Sequence, residues 1–469
     1  MNAGSVRAVF AGAAVTLAVL GVSCPAAQAI TPPQVDPAVP PPAGATGPLQ
    51  PMSQRAPCVT AGVLPGTNPA ASDPNRTLLN LDGAWEYSRG DGQLVAVIDT
   101  GVRPGPRLPN VDPGGDFVES SDGLTDCDGH GTLVAGLIAG QPGPDGFSGV
   151  APGARVLSIR STSARFSPNT TGENPATARA ALDVATLARA VVRAADLGAR
   201  VITISAVTCL PATEAVDQNQ LGAALRYAAV EKDAVIVAAA GNNKSGLNPG
   251  SACPSNPLSD PGRPDDPRNW SGVTSVSIPS SWQPYVLSVG ALDSTGQPAD
   301  FTMAGPWVGI AAPGQQIASL SNGDGGGLAN ALPDSQGRPF PLNSTSFAAA
   351  YVSGVAALVR SRFPSLTAEQ VRDRLTAGAQ GAARAPSNVT GAGLVDPVAS
   401  LTWDVSAAVG GDAAPQVQPV AAPPEPETPD TTPKIVALAG AGTLAVLVAV
   451  TSAVAVHRRR QLDNQVEVS

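Results

Sequence analysis

Short, almost continuous apolar runs alternate with segments of helical periodicity between about residues 75 and 402. The apolar runs have the length of buried strands: Gln93–Asp99, Arg155–Ile159, Val201–Ser205, Ala234–Ala240 and Tyr285–Ala291. The helical pattern is found at His130–Ala139, Leu182–Leu197, Gln220–Lys232, Ser346–Phe363 and Thr367–Ala377. Buried strands that alternate with helices predict one α/β domain with a mostly parallel sheet covered on both faces. Ligands of such sheets bind beyond the carboxyl ends of the strands.

The N-terminus has the pattern of a secretory signal peptide. Arg7 precedes an apolar stretch from Ala8 to Val22, and Ala27-Gln28-Ala29 fits the small-residue cleavage pattern, which predicts a signal peptide over residues 1–29. Cys24 raises the alternative of a lipoprotein signal, but the preceding residues lack the leucine that is usual in such signals.

A second long apolar segment lies near the C-terminus. Ile435–Val456 carries no charge and spans roughly 33 Å as a helix, enough for a bilayer core. The alternative is a buried core helix, which the terminal position and the few polar residues disfavour. We expect a transmembrane helix over residues 434–456. Arg458, Arg459 and Arg460 then keep a tail of residues 457–469 in the cytoplasm, with the body of the protein exported.

Two segments rich in proline and alanine, residues 31–57 and 405–433, have neither helical nor strand periodicity and are typical of extended or disordered linkers. The chain therefore divides into an N-terminal extension (30–74), a body (75–402), a linker (403–433), the membrane helix and the tail. Two long polar loops are expected within the body, at residues 161–178 and 244–275.

Composition narrows the functional classes. Fifty glycines and 47 prolines are incompatible with a coiled coil or an all-helical bundle, and a net charge of −9 argues against nucleic-acid binding. The chain has two histidines, His130 and His457, and His457 adjoins the three C-terminal arginines. Any imidazole chemistry in the exported body therefore falls to His130.

Four cysteines remain after signal-peptide removal, an even number in an oxidising compartment, and they allow three pairings. Cys209 and Cys253 follow successive strands that we expect to be neighbours in the sheet, so their loops leave it at the same end. We therefore pair Cys209 with Cys253. Cys58 is left to pair with Cys127, which would fasten the N-terminal extension three residues before His130.

Three short motifs carry candidate chemistry. Asp99-Thr100-Gly101 ends a strand; alone it could be a turn, a metal ligand or half of an aspartic protease site, but no second such motif exists. His130 begins a helix between two glycines, where a capping or core role is the alternative. Ser346 lies at a helix N-terminus; serine there is commonly a cap, but a nucleophile at this position also has backbone N–H groups and a favourable dipole nearby.

Asp, His and Ser in this order, at strand and helix ends of an α/β body, resemble the subtilisin-like serine proteases. The resemblance rests on Asp99-Thr100-Gly101, on His130-Gly131-Thr132 with Val134-Ala135-Gly136, and on Thr345-Ser346-Phe347-Ala348, and it extends over about residues 90–400. Ala238–Asn242 is similar to the family segment that carries the oxyanion asparagine, and Ala311–Gly314 to another family segment. The overall layout resembles the mycosin subgroup, the membrane-anchored proteases of type VII secretion systems.

The resemblance implies a subtilisin-like three-layer domain and a membrane-anchored serine endopeptidase that acts on exported proteins. Ser346 would be the nucleophile, His130 the general base and Asp99 its partner, while Asn242 and the Ser346 N–H would bind the oxyanion. Asp265 and Asp266 are candidates for the Ca²⁺ that many subtilases bind, but they lack the spacing of a Ca²⁺ site, so we expect no metal or other cofactor. Partners would be exported substrates and type VII membrane components. The alternatives are a structural subunit of the secretion apparatus and, less favoured on this fold, an esterase.

Several positions depart from the family pattern. Ser344 replaces the usual glycine and would be strained if that position needed positive φ. Ala350 replaces a proline, and Val207 replaces the glycine of the substrate-aligning strand, which would alter strand pairing with the substrate or narrow the non-primed cleft. These changes suggest a restricted protease or a pseudo-enzyme. The extension is too short and proline-rich for a folded inhibitory propeptide; it would wrap the domain, or alternatively be a disordered spacer.

Overall fold

The computed structural model describes residues 30–71, 73–170, 174–243, 252–334, 336–381, 386–404 and 432–466. The chain forms two units, divided between Gly410 and Gly411, and each is described by itself. The predicted signal peptide and residues 405–431 of the predicted linker lie outside the described residues, so both remain predictions.

The strands and helices of the first unit largely follow the predicted alternation. Its strands are β1 (Met52–Gln54), β2 (Leu94–Asp99), β3 (Val111–Asp116), β4 (Arg155–Arg160), β5 (Phe166–Pro168), β6 (Val201–Ile204), β7 (Thr208–Pro211), β8 (Val235–Ala239), β9 (Ser275–Ile278), β10 (Val286–Leu292), β11 (Val308–Pro313), β12 (Ser319–Leu320), β13 (Leu328–Ala329), β14 (Ala331–Pro333), β15 (Pro339–Pro341), β16 (Gln380–Gly381) and β17 (Gly393–Leu394). Its helices are α1 (Pro74–Leu78), α2 (Leu81–Ala84), α3 (His130–Ala139), α4 (Pro175–Asp196), α5 (Asn219–Arg226), which continues as a π-helical turn (Tyr227–Glu231), α6 (Thr345–Arg362), α7 (Ala368–Ala377) and α8 (Pro397–Thr402), with a 3₁₀ turn at Trp270–Gly272.

Within the described part of the chain, nine strands form one sheet in the order β16-β17-β11-β10-β8-β6-β2-β4-β3. Neighbouring strands are parallel except for the edge pair of β16 and β17. The chain builds outward from β2 in both directions, with β4 and β3 on one side and β6 and β8 on the other. A crevice therefore opens at the carboxyl end of β2, where ligands of such sheets bind.

Alternate side chains of the central strands enter two separate cores. Val95 and Val97 of β2 join the core that includes α3 and α6, whereas Ala96 and Ile98 join the core that includes α4 and α5. Helix α6 is buried over most of its length, as a helix in the middle of a layer should be. The predicted three-layer fold with a mostly parallel sheet is confirmed.

The region expected to be a polar loop at residues 161–178 is partly regular. Strand β5 lies within it, and α4 begins at Pro175, seven residues before the predicted helix. Asn174 caps α4, its side chain accepting from the amide of Thr177, and Pro175 occupies the first turn. Both are helix-start signals; the loop prediction gave more weight to the polar composition and was wrong here.

The extension lies against the domain rather than hanging free. Strand β1 pairs antiparallel with β5, and Gly62 forms a β-bridge with Ala331. The guanidinium of Arg189 on α4 donates to backbone carbonyls of residues 45–47. These contacts match the wrapped arrangement of the extension and not the disordered spacer.

The described residues of the second unit form one long helix, α9 (Thr432–Val466). Its segment Gly440–Arg459 has a mean hydropathy of 1.7 and exposes its side chains in the structure. Twenty residues of this composition are long enough to cross a bilayer. The predicted apolar helix at residues 434–456 is therefore present.

Candidate active site

Two of the predicted site residues meet at the carboxyl end of β2. Asp99 is the last residue of β2 and His130 the first of α3; both side chains are buried. Nδ1 of His130 lies 2.8 and 3.0 Å from the two carboxylate oxygens of Asp99. With Nδ1–H donating to a carboxylate, Nε2 is left with a lone pair that can accept a proton.

The start of α3 approaches the strand end closely enough to require glycine. A Cβ on Gly131 would lie 2.0 Å from the carbonyl oxygen of Gly101, which follows β2. No side chain can be accommodated at that distance. The glycine after the histidine therefore lets the imidazole reach Asp99.

A second carboxylate, Asp126, fixes the loop that carries His130. It accepts from the hydroxyls of Thr100 and Thr132 and from the amides of Asp128, Gly129 and Thr132. Burial raises the pKa of Asp126 to about 6, although the hydrogen bonds from Thr132 and Thr100 act in the opposite direction. The carboxylate is thus mostly ionised at neutral pH and serves several donors at once.

Ser346 is the second residue of α6 and is fully buried. Its hydroxyl donates to the carbonyl oxygen of Ser205, 3.0 Å away, just beyond β6. Among the described residues, Nε2 of His130 has no hydrogen-bond partner. Phe347 packs against the imidazole with a ring separation of 5.4 Å, so the N-terminus of α6 adjoins His130.

Asn242 follows β8 and faces the same helix N-terminus. Its Oδ1 accepts from the amide and the hydroxyl of Thr345 at 3.0 and 3.1 Å, and its Nδ2 donates to the hydroxyl of Ser344 at 3.1 Å. The structure therefore brings Asp99, His130, Ser346 and Asn242 to one end of the sheet. Their catalytic roles remain a prediction.

The charge on Asp99 controls the basicity of His130. Burial by itself would lower the pKa of this imidazole, but the neighbouring Asp99 carboxylate, by charge and by hydrogen bond, outweighs that effect, and Asp126 and Asp128 add to it. The net pKa of His130 lies above 6.5. Such an imidazole is a stronger base than a free one, as proton abstraction from a hydroxyl requires.

Both disulfides adjoin the site, with the pairing expected from the sequence. Cys58 is bonded to Cys127, which ties the extension to the loop before His130. Cys209 is bonded to Cys253, whose amide donates to the carbonyl oxygen of Asn242 at 2.8 Å. Each bridge therefore fixes the segment next to one of the predicted site residues.

Sequence reasoning missed two supports of the site. The sequence could have indicated Asp126, because it lies four residues before His130 in a glycine-rich turn. No sequence pattern indicates Asn322. Its side chain accepts from the amide of Ala61 in the extension and donates to the carbonyl oxygens of Val59 and Asp126. Contacts between residues so distant in the chain leave no local pattern.

The strain considered for Ser344 does not arise. Its φ is −170°, extended backbone open to any residue, and its amide donates to the carbonyl oxygen of Gly314. Gly314 belongs to the Ala311–Gly314 segment noted in the sequence, so that segment positions the residues before Ser346.

The described residues contain no group of three or more His, Cys, Asp or Glu side chains that could hold a metal ion. Asp266, considered as a Ca²⁺ ligand, instead accepts from the amides of Trp270 and Ser271. That the protein uses no metal or cofactor stays a prediction.

Comparison with known proteins decides the family. The model of the subtilase family matches residues 90–393. The chain belongs to the subtilase family. Mycosin-3 of Mycobacterium tuberculosis (strain ATCC 25618 / H37Rv) is 63% identical to it over 97% of this chain and 99% of that protein. Mycosin-1 of Mycolicibacterium smegmatis (strain ATCC 700084 / mc(2)155) is 47% identical over 82% of this chain and 84% of that protein. The chain is thus a subtilase of the mycosin group, and the predicted serine-protease class is confirmed.

Solved structures agree with this assignment. The structure of the MycP3 protease from the type VII (ESX-3) secretion system is 71% identical, with a TM-score of 0.77, and covers 80% of this subtilase and all of that chain. A chain in the structure of an intact ESX-5 inner membrane complex is 48% identical, with a TM-score of 0.77 over 90% of this subtilase and 99% of that chain.

Proposed function

We propose that this subtilase is a membrane-anchored serine endopeptidase that cleaves exported proteins and works with the membrane components of a type VII secretion system. The main support is the 2.8 Å contact between Nδ1 of His130 and a carboxylate oxygen of Asp99, beside the helix N-terminus that bears Ser346. Ser346 attacks the scissile carbonyl, and His130 takes the hydroxyl proton on Nε2 and passes it to the leaving amine. Asp99 fixes the tautomer and stabilises the imidazolium.

The negative charge that develops on the carbonyl oxygen needs donors already in place. The Ser346 N–H and the Nδ2 of Asn242 are the candidates, because both point to the region in front of α6. Water then hydrolyses the acyl-enzyme with His130 again as base. The hydroxyl of Ser346 must first leave the Ser205 carbonyl and turn to Nε2 of His130.

A fluorophosphonate probe tests the proposed chemistry on the full-length protein in detergent. Labelling should be lost in Ser346→Ala, since removal of this nucleophile costs on the order of 10⁶ in turnover in subtilisin. The matched control is Ser353→Ala, a buried serine on the same helix whose hydroxyl bonds to the Ala349 carbonyl; its labelling should persist. A folded wild-type protein that does not label would contradict the endopeptidase proposal.

The proposed anchor is tested separately. A chain ended after residue 404 retains the whole described part of the first unit and lacks α9. It should move from the membrane to the soluble fraction and keep its labelling rate. Protease added outside spheroplasts should degrade the first unit of the full chain; its protection there would contradict an exported body.

The second candidate function, a structural subunit of the secretion machinery, is favoured by the similarity to a chain of the ESX-5 inner membrane complex. The two functions separate in a strain that lacks the native gene. If secretion is restored by Ser346→Ala as well as by the wild type, the scaffold role suffices for secretion. If it is restored by the wild type alone, proteolysis is required.

A further inference from the structure

Two candidate oxyanion donors already share an acceptor within the protein. The amide of Ser346 donates to the hydroxyl oxygen of Ser344 at 2.9 Å, and Nδ2 of Asn242 donates to the same oxygen at 3.1 Å. Ser344 is 1% exposed. A neutral hydroxyl thus lies where two N–H groups converge.

The orientation of the Asn242 amide is fixed by its other contacts. Its oxygen accepts from the amide of Thr345, a group that can only donate, and from the Thr345 hydroxyl. The nitrogen must therefore face Ser344. A flipped amide would place two donors against each other at Thr345 and is excluded on that ground.

Convergence of two N–H donors on one oxygen at 2.9 and 3.1 Å is the geometry of an oxyanion hole, where donors lie 2.7–3.1 Å from the oxyanion. We infer that Ser344 is an oxyanion-site residue whose hydroxyl occupies the hole in the resting enzyme and must be displaced by the scissile carbonyl oxygen. This inference rests on the proposed function, since it assigns the hole to a peptidase.

The oxyanion of the transition state displaces the Ser344 hydroxyl more readily than the neutral carbonyl oxygen of the bound substrate does. A neutral carbonyl oxygen is a weak competitor for donors that already hold a hydroxyl, whereas an oxyanion forms charge-assisted bonds about twice as strong. Ser344 therefore weakens ground-state binding and slows acylation by the cost of its own two hydrogen bonds. Because Ser344 has extended backbone, its side chain can be shortened without strain.

The same hydroxyl is also the N-cap of α6, so a competing explanation exists. If Ser344 only caps the helix and holds the two donors in place, its removal should lower both activity and stability. If it competes with the substrate, removal should raise activity although the cap is lost. The two explanations predict opposite changes in rate.

The test compares Ser344→Ala and Ser344→Gly with the wild type and with Ser344→Thr, which keeps a hydroxyl. The second-order rate of fluorophosphonate labelling and the affinity for a peptide aldehyde, which forms an oxyanion on Ser346, are measured on the full chain. We expect both to rise about tenfold in the Ala and Gly variants, with an unchanged or lower unfolding temperature. Ser344→Thr keeps the competing hydroxyl and should not show this gain.

A second measurement isolates competition for Asn242. Replacing Ser344 by Ala should accelerate labelling less in an Asn242→Ala background, because one of the two contested donors is already gone. Equal acceleration in both backgrounds, or folded Ala and Gly variants that label no faster than the wild type, would overturn the inference and leave the endopeptidase proposal intact.

Labelling that appears only in the Ala and Gly variants would support the inference strongly. No Ser346-dependent labelling in any folded variant would overturn the proposed function itself, and the inference with it.

Discussion

The hydroxyl of Ser346 donates to the carbonyl oxygen of Ser205, 3.0 Å away, while Nε2 of His130 has no hydrogen-bond partner among the described residues. The base is therefore oriented by Asp99 before the nucleophile is engaged. In the proposed reaction, the last hydrogen bond of the triad forms by rotation of a single serine side chain. The properties of His130 can thus be examined independently of that bond.

The pH dependence of activity should report the raised pKa of His130. As general base it must be neutral, so kcat/KM should fall as the pH drops through a pKa above 6.5. In Asp99→Asn the carboxylate is gone and burial dominates, so the acid limb should move to lower pH, with kcat reduced about 10⁴-fold. The pH profile of labelling measures both, and an acid limb unmoved by the substitution would contradict the assignment.

The raised pKa of His130 should also make the free energy of unfolding depend on pH, with the opposite sign to activity. A His pKa that is higher in the folded state contributes stability that is fully present below about pH 6.5 and is lost as the pH rises through the folded-state value. The free energy of unfolding lost in Asp99→Asn should therefore be larger at pH 5.5–6 than at pH 9. Urea unfolding at the two pH values provides the comparison.

Asn242→Ala should reduce kcat by about 10²–10³, the loss measured for the corresponding donor in subtilisin, with a smaller change in KM. The control is Asn243→Ala, the next residue, whose side chain instead bonds to the Asp300 carbonyl. If both variants lose activity equally, the effect comes from the loop and not from the amide donor.

Asp126→Ala should destabilise the domain by at least about 3 kcal/mol, because it leaves several buried donors without an acceptor. Asp122→Ala removes an exposed carboxylate of the same loop that accepts from the amide of Leu124, so the free energy of unfolding should fall by only about 0.5–1 kcal/mol. Denaturant unfolding of both variants measures the two changes. Equally small losses of unfolding free energy would mean that Asp126 does not organise the loop.

Removal of the bridge between Cys58 and Cys127 by a double serine substitution should loosen the extension. A link between residues 69 positions apart contributes about 2–4 kcal/mol, so the melting temperature should fall and activity should change. Removal of the Cys209–Cys253 bridge is the control, since it leaves the extension fastened. Limited proteolysis within residues 30–57 should accelerate only in the first variant. Unchanged melting temperature and activity would rule out a functional role for the bridge.

Local patterns predicted the parts of the fold that local chemistry decides. The apolar strands, the glycine-flanked His130 and the start of α6 were identified because burial and backbone geometry restrict the residue types there. Strand β3 was not, since Val-Asp-Pro-Gly-Gly-Asp is no strand pattern; as an edge strand it tolerates its proline. The role of Asn322 depends on contacts between residues over 190 positions apart, and the shared acceptor at Ser344 depends on side-chain rotamers, neither of which a sequence pattern specifies.

The bridge between Cys58 and Cys127 also changes what a maturation cut would do. Cleavage of the backbone anywhere from Val59 to Asp126 would leave both fragments covalently joined, so the extension would not be released. Such a nicked protein would migrate as one band on a non-reducing gel and as two after reduction. Without reduction, apparent size would therefore not distinguish a processed molecule from an intact one.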